Sequence, residues 1–151
     1  MGVYTGVVRS ITPVLTDDNW FLTAGANELA RVIRVRASGE ATAATAMHTR
    51  WARSSGQAGA ATTGDVARVS NPNGPTNLLT FGTTFATTQP TLDAGSLLSE
   101  SWNANGGLVE WVASIPDEEW LIVGAATETV ISCRNSVGVG VSSYGGTWRE
   151  D

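Results

Sequence analysis

Lysine is absent from this chain of 151 residues, and cysteine and histidine occur once each, as Cys133 and His48. A single cysteine forbids an intrachain disulfide. A single histidine removes most transition-metal sites and the histidine-based triads. Charge is scarce as well, at 15% of residues against about 25% in an average globular protein. The nine basic residues are all arginines, and with 14 acids the net charge is −5. That balance argues against nucleic acid as a partner, which calls for a basic stripe. No apolar run reaches the roughly 18 residues of a membrane-crossing helix, so no membrane partner is expected. The opening Met1-Gly2-Val3-Tyr4 shows neither a basic nor an apolar signal region, and synthesis in a cytoplasm is the expectation. Gly6 stands where a myristoylation signal carries Ser or Thr.

What remains is small and β-prone. The chain holds 19 Thr, 19 Ala, 17 Gly, 15 Val and 13 Ser, and β-branched residues favour strands. Its size suits one domain spanning residues 1–151 with a core of its own. Mean hydropathy near zero and six tryptophans argue against disorder.

Short strands follow one another along the sequence. Leu29 to Ser38 alternates, with Arg31, Ile33, Val35 and Ala37 opposite Val32, Arg34 and Arg36, as a half-buried strand does. Ala41 to Arg53 alternates too, and Gly39-Glu40 between them predicts a long hairpin. Val3–Val8, Trp20–Thr23, Leu78–Ala86, Leu97–Asn103, Leu108–Ala113, Trp120–Val123, Glu128–Arg134 and Val137–Ser143 complete about ten strands, spaced as in an all-β antiparallel sandwich. Asn103–Gly107 predicts a hairpin loop, and Ile115–Glu119 a turn. Residues 54–77 are rich in Gly, Ser, Asn and Pro and predict a long loop region. It is interrupted by one short strand, Val66–Val69, and contains a strong turn at Asn71-Pro72-Asn73-Gly74-Pro75. Residues 1–8 are expected to form a short N-terminal arm.

The chemistry-bearing residues are dispersed. His48 lies mid-strand with no nucleophile elbow in the sequence, and predicts a structural histidine. Cys133, in an apolar strand, predicts a buried inert thiol. Asp17-Asp18-Asn19 offers oxygens that calcium would accept, but without the spacing of an EF-hand loop a turn is favoured. Asp117-Glu118-Glu119, Glu110 and Glu128 supply carboxylates that nothing in the sequence brings together as glycosidase chemistry requires. No catalytic residue, metal or cofactor is expected. Trp111 and Trp120 alternate with aliphatic residues and predict core. Trp20, Trp102 and Trp148 stand beside polar residues and, with Val3, Tyr4, Val7 and Val8, are the candidate partner-interface residues.

Three segments carry a resemblance: Trp102-Asn103-Ala104-Asn105-Gly106-Gly107-Leu108-Val109-Glu110-Trp111-Val112-Ala113, Glu119-Trp120-Leu121-Ile122-Val123-Gly124, and Ile131-Ser132-Cys133-Arg134-Asn135-Ser136. They precede an acidic aromatic end, Trp148-Arg149-Glu150-Asp151. This C-terminal part resembles small β-rich structural proteins of tailed bacteriophages. The resemblance implies a jelly-roll sandwich and a non-enzymatic place in the virion. That place is a capsid decoration (cement) protein on the lattice of the major capsid protein, or a related head or tail component. A glycan- or receptor-binding tip is the alternative. A homo-oligomer is expected, a trimer first and a dimer second, because threefold lattice positions offer a trimer avidity.

Overall fold

The computed structural model describes residues 2–69, 76–124 and 130–151. These contain thirteen strands and one short 3-10 turn, Pro116–Glu118. Six strands form sheet A: β1 (Gly2–Ile11), β3 (Leu29–Gly39), β6 (Val66–Arg68), β10 (Leu108–Val112), β11 (Trp120–Val123) and β13 (Ser142–Glu150). Seven form sheet B: β2 (Trp20–Thr23), β4 (Ala46–Ser55), β5 (Ala61–Thr63), β7 (Thr80–Phe85), β8 (Thr91–Leu92), β9 (Leu98–Asn103) and β12 (Val130–Val137). The chain is an all-β antiparallel sandwich.

Its topology is a jelly roll. Sheet A runs β10-β3-β13-β1, and sheet B runs β2-β12-β4 with β9 beside β4. The ladders are therefore nested: β1 with β13, β2 with β12, β3 with β10, β4 with β9. One long double ribbon, rolled up, produces that nesting. The predicted β3–β4 hairpin is corrected by it. The two strands lie in opposite sheets, as do β9 and β10 around the predicted hairpin loop. Residues 40–45 and 104–107 carry the ribbon around the edge of the sandwich side by side, joined by Ala41 N–H to Ala104 O and Ala104 N–H to Thr45 O, each 2.9 Å. Gly39 lets them meet, since a Cβ there would lie 2.1 Å from Ala104 O.

The described part of residues 54–77 holds two strands of its own rather than one. β6 is the predicted strand; β5 is additional, and the two extend opposite sheets beyond β1 and β7. The turn at Asn71–Pro75 lies outside the described residues, as do Met1, Glu128 and the first two positions of the predicted Glu128–Arg134 strand. Val137 closes β12, and the predicted Val137–Ser143 strand is instead a connection leading to β13 at Ser142.

The first residues are no arm. β1 lies inside sheet A between β13 and β6, with Gly2 opposite Glu150 and Val7 opposite Gly145. Its inward side is Gly2, Tyr4 and Gly6. Tyr4, Trp20, Trp51, Trp148, Phe81, Leu22, Ile122 and Ile131 fill the core between the sheets. Gly6 and Gly146 face each other across β1 and β13; the missing side chain of Gly146 leaves a notch for the Trp20 indole, whose Nε1–H donates to Gly6 O at 3.3 Å, and that of Gly6 leaves room for the Phe81 ring. A Cβ on Gly146 would lie 2.4 Å from Trp20 Cζ2. Gly146→Ala is therefore expected to destabilise the fold by about 1–3 kcal/mol, an overpacking cost. Gly145→Ala, whose Cβ points outward, should cost less than about 0.5 kcal/mol. Urea midpoints of the two variants check the contrast, and equal shifts would contradict the notch.

Candidate functional site

Alternation along the strands of sheet A assigns every second side chain to its outer surface. β1 presents Val3, Thr5, Val7 and Arg9; β13 presents Ser143, Gly145, Thr147 and Arg149. β3 would present one unbroken series, but the β3–β13 register slips where Thr147 faces Arg34 and Trp148 faces Val32. This bulge changes the phase. Ala30 and Val32 point inward before it, and Val35 and Ala37 after it, so the single alternation predicted for Leu29–Ser38 breaks at Ile33. Arg34 and Arg36 both emerge on the outer face, beside Glu110 and Val112 of β10.

Three hollows with shared walls make one groove across this face. The first, about 300 Å³, is lined by Val7, Arg9, Arg36, Ser38, Glu40 and Gly145 among others. The second shares Val7, Arg36 and Gly145 with it and adds Thr5, Arg34 and Thr147. The third, about 490 Å³, continues over Thr5, Arg34 and Thr147 to Ile33, Val69, Val112 and Ala113. Gly145, with no side chain, forms the floor where the first two meet.

Charge along the groove is uneven. Arg34 pairs with Glu110, Arg31 with Asp151 at 3.0 Å, and Arg149 with Glu119 at 2.8 Å. Arg9 and Arg36 form no ion pair with any described residue. At the groove's end Glu40 accepts hydrogen bonds from the Ser10 and Ser143 hydroxyls. Those two hydrogen bonds, with Arg9 assisting, hold its carboxyl below the usual carboxylate range. Ser10 sits at a bulge of β1 in the left-handed region, φ 52°, with its N–H bonded to Ser143 Oγ at 3.0 Å.

The predicted interface residues divide. Val7 is exposed, and Val3 and Val8 are half-buried. Tyr4, Trp20 and Trp148 are at most 1% exposed and belong to the core. Strand neighbours point to the opposite face, so the polar residues flanking Trp148 report on the outer surface of sheet A and not on the indole. Trp102 is half-buried and committed inward. Its Nε1–H donates to Thr49 Oγ1 at 2.8 Å, Thr49 to Asn135 Oδ1 at 2.8 Å, and Asn135 Oδ1 also accepts from the Tyr144 hydroxyl at 3.1 Å. Trp120 is core as predicted. Trp111 is half-buried and stacks on it, ring centroids 4.2 Å apart. None of the six tryptophans is exposed.

Burial, and after it the nearby Cys133, lifts the Tyr144 phenol to about 12. The folded chain thus keeps this proton after the unfolded chain has lost it near pH 10. The contribution is complete below pH 10 and disappears as pH rises to 12, about 2–3 kcal/mol in all. In Tyr144→Phe the alkaline fall in urea midpoint between about pH 10 and 12 should be correspondingly shallower; an unchanged slope would contradict this.

The other sequence candidates are occupied. Cys133 is buried, and burial raises its thiol well above the usual range. His48 lies between the Ser136 and Ser99 hydroxyls. Asp18 is buried behind Asp17. Its Oδ1 accepts from Arg134 Nη2 and its Oδ2 from Ser132 Oγ, both at 2.7 Å. Its carboxylate is spent in an ion pair. Glu118 accepts the Ser114 N–H, while Glu110 and Glu119 pair with arginines. No group of three His, Cys, Asp or Glu gathers as a metal site among the described residues. The chain matches no protein family, no characterised protein and no solved structure in comparisons of sequence and fold.

Proposed function

We propose that the protein is a non-enzymatic structural component of a phage virion, a decoration (cement) protein that binds the capsid exterior through the outer face of sheet A. One observation carries the choice of face. Among residues within strands, the exposed large apolar side chains are Val7, Leu108, Val112 and Val123 on sheet A and only Val137, at the end of β12, on sheet B. Apolar surface gathered on one side, with arginine among it, is the composition of a contact surface. A jelly roll with an aromatic core and its tryptophans turned inward suits a building block more than a catalyst. The same inward tryptophans disfavour the alternative of a glycan-binding tip, which needs exposed rings to stack on sugars.

Val7→Asp and Val112→Asp place charge on this face without altering the core. Each is expected to leave the urea midpoint unchanged and to weaken association with purified particles by roughly tenfold or more, as a desolvated charge at a contact costs 1.4 kcal/mol or more. Ser99→Asp, on sheet B, is the control. Co-sedimentation with particles, followed by cryo-electron microscopy of the complex, makes the comparison. Equal binding by all three variants would overturn the assignment of the face, and no binding by the wild-type chain would overturn the function.

A further inference from the structure

We infer that the sheet A groove receives an extended protein segment with carboxylates at one end and apolar side chains at the other, the carboxylates on Arg9 and Arg36 and the apolar end against Ile33, Val69 and Val112. This deepens the proposed function and rests on it; the segment is assigned to the capsid subunit.

Charge is the first ground. Five of the nine arginines, Arg9, Arg31, Arg34, Arg36 and Arg149, lie on this one face. Four acids share it, while the rest of the chain holds ten acids against four arginines. This face is thus the cationic part of an acidic protein. Three of its five arginines are already matched by Glu110, Glu119 and Asp151. Arg9 and Arg36, on either side of the Val7–Gly145 pair, keep their donors for a partner. A guanidinium takes a carboxylate in a charge-assisted, often bidentate, hydrogen bond.

Shape and polarity give the second ground. Ser38 and Arg34 are four positions apart on β3, roughly 13 Å of strand. The full groove therefore accommodates about four to six extended residues. Its floor at Gly145 admits a backbone, and its far end is mainly apolar, Ile33, Val69, Val112 and Ala113 lying beside a Glu119 already paired with Arg149. Glu40 stands at the cationic end with its hydrogen bonds already made, so a dense polyanion such as nucleic acid or a sulfated polysaccharide meets repulsion there. A protein segment carrying one or two carboxylates meets less of it, since each can sit on Arg9 or Arg36.

The test uses the full chain and two labelled peptides, Ac-EETVTV-amide and its neutral counterpart Ac-QQTVTV-amide, read by fluorescence anisotropy. The acidic peptide should bind roughly tenfold tighter than the neutral one. The preference should shrink as ionic strength rises to about 0.15 M, and vanish in Arg9→Ser/Arg36→Ser. Gly145→Leu, which fills the floor without changing charge, should weaken both peptides. Equal binding of the two peptides, or a preference untouched by the double variant, would overturn the inference. So would stronger competition by heparin than by the acidic peptide, which would make the groove a polyanion site. Particle binding separates this from the proposed function. Particles bound normally by the double variant but lost by Val112→Asp would leave the decoration role standing without the carboxylate contact. Peptide preference without particle binding would remove the capsid subunit as its source.

Discussion

Deleting residues 1–8 is expected to abolish cooperative folding. The deletion takes away seven of the eight register positions that join β1 to β13, and all three that join it to β6. It also removes Tyr4, which is buried and stacks on Trp148 with centroids 6.3 Å apart. With Gly6 goes the acceptor for the Trp20 indole. Losing one large aromatic from a core costs about 3–5 kcal/mol, and a domain of this kind is stable by only about 5–15 kcal/mol. An unpaired β13 edge and two uncovered tryptophans add to the loss. The truncated chain should show no sigmoidal urea transition and little amide dispersion by NMR. A retained two-state transition would mean that β1 is an appendage after all.

The second large effect concerns the polar site on the outer side of sheet B. Asp18 and Ser132 are buried, and Arg134 bridges them to Pro90 O at 2.9 Å. Arg134→Ala strands the carboxylate, and breaking a buried pair from one side costs about 3–5 kcal/mol. The pH dependence has a definite sign. Burial raises the Asp18 carboxyl above its usual value although Ser132 and Arg134 pull it down. Its contribution to stability is therefore complete below the ordinary carboxylate pKa near 4 and is lost as pH rises through the folded-state value. Without Arg134 the carboxyl moves further up, so the deficit of Arg134→Ala should be smaller near pH 4 than near pH 7. Adding Asp18→Asn should recover part of it at pH 7. Urea denaturation of the single and double variants at both pH values makes the measurement. A deficit independent of pH and unrelieved by Asp18→Asn would show that Arg134 contributes packing alone.

Strand identity was legible in the sequence because alternation is a local property. β3, β10 and β11 fall on short runs rich in β-branched and aromatic residues, with alternation clearest in the first half of β3. Strand partnership was not, because it depends on which surface each ribbon arm must cover. Gly39-Glu40 and Asn103–Gly107 have the residues of hairpin turns, and Gly106 does adopt φ +70°. Burying Val32 and Trp51 on opposite inner faces nevertheless sends the flanking strands to different sheets. Trp20, Trp102 and Trp148 read as interface residues for a related reason. Trp148 between Thr147 and Arg149 is what a core residue looks like in a sheet with one wet side, since its sequence neighbours face the water. Of the groove, only Val7 drew a signal in the sequence. Arg9, Arg36, Val112 and Gly145 are ordinary residues in sequence, and only the nested ladders set them side by side.

That nesting also dictates when the protein can fold. β13 lies between β1 and β3 and is the strand through which they join. Until β13 has left the ribosome, the inward faces of β1 and β3 have no neighbour to complete sheet A, and Tyr4 waits for Trp148. Folding of this sheet consequently waits for β13 and is governed by closure of the long loop between β1 and β13. Such non-local topologies fold slowly. A ribosome-stalled chain lacking β13 would display its aromatic residues to chaperones rather than to one another.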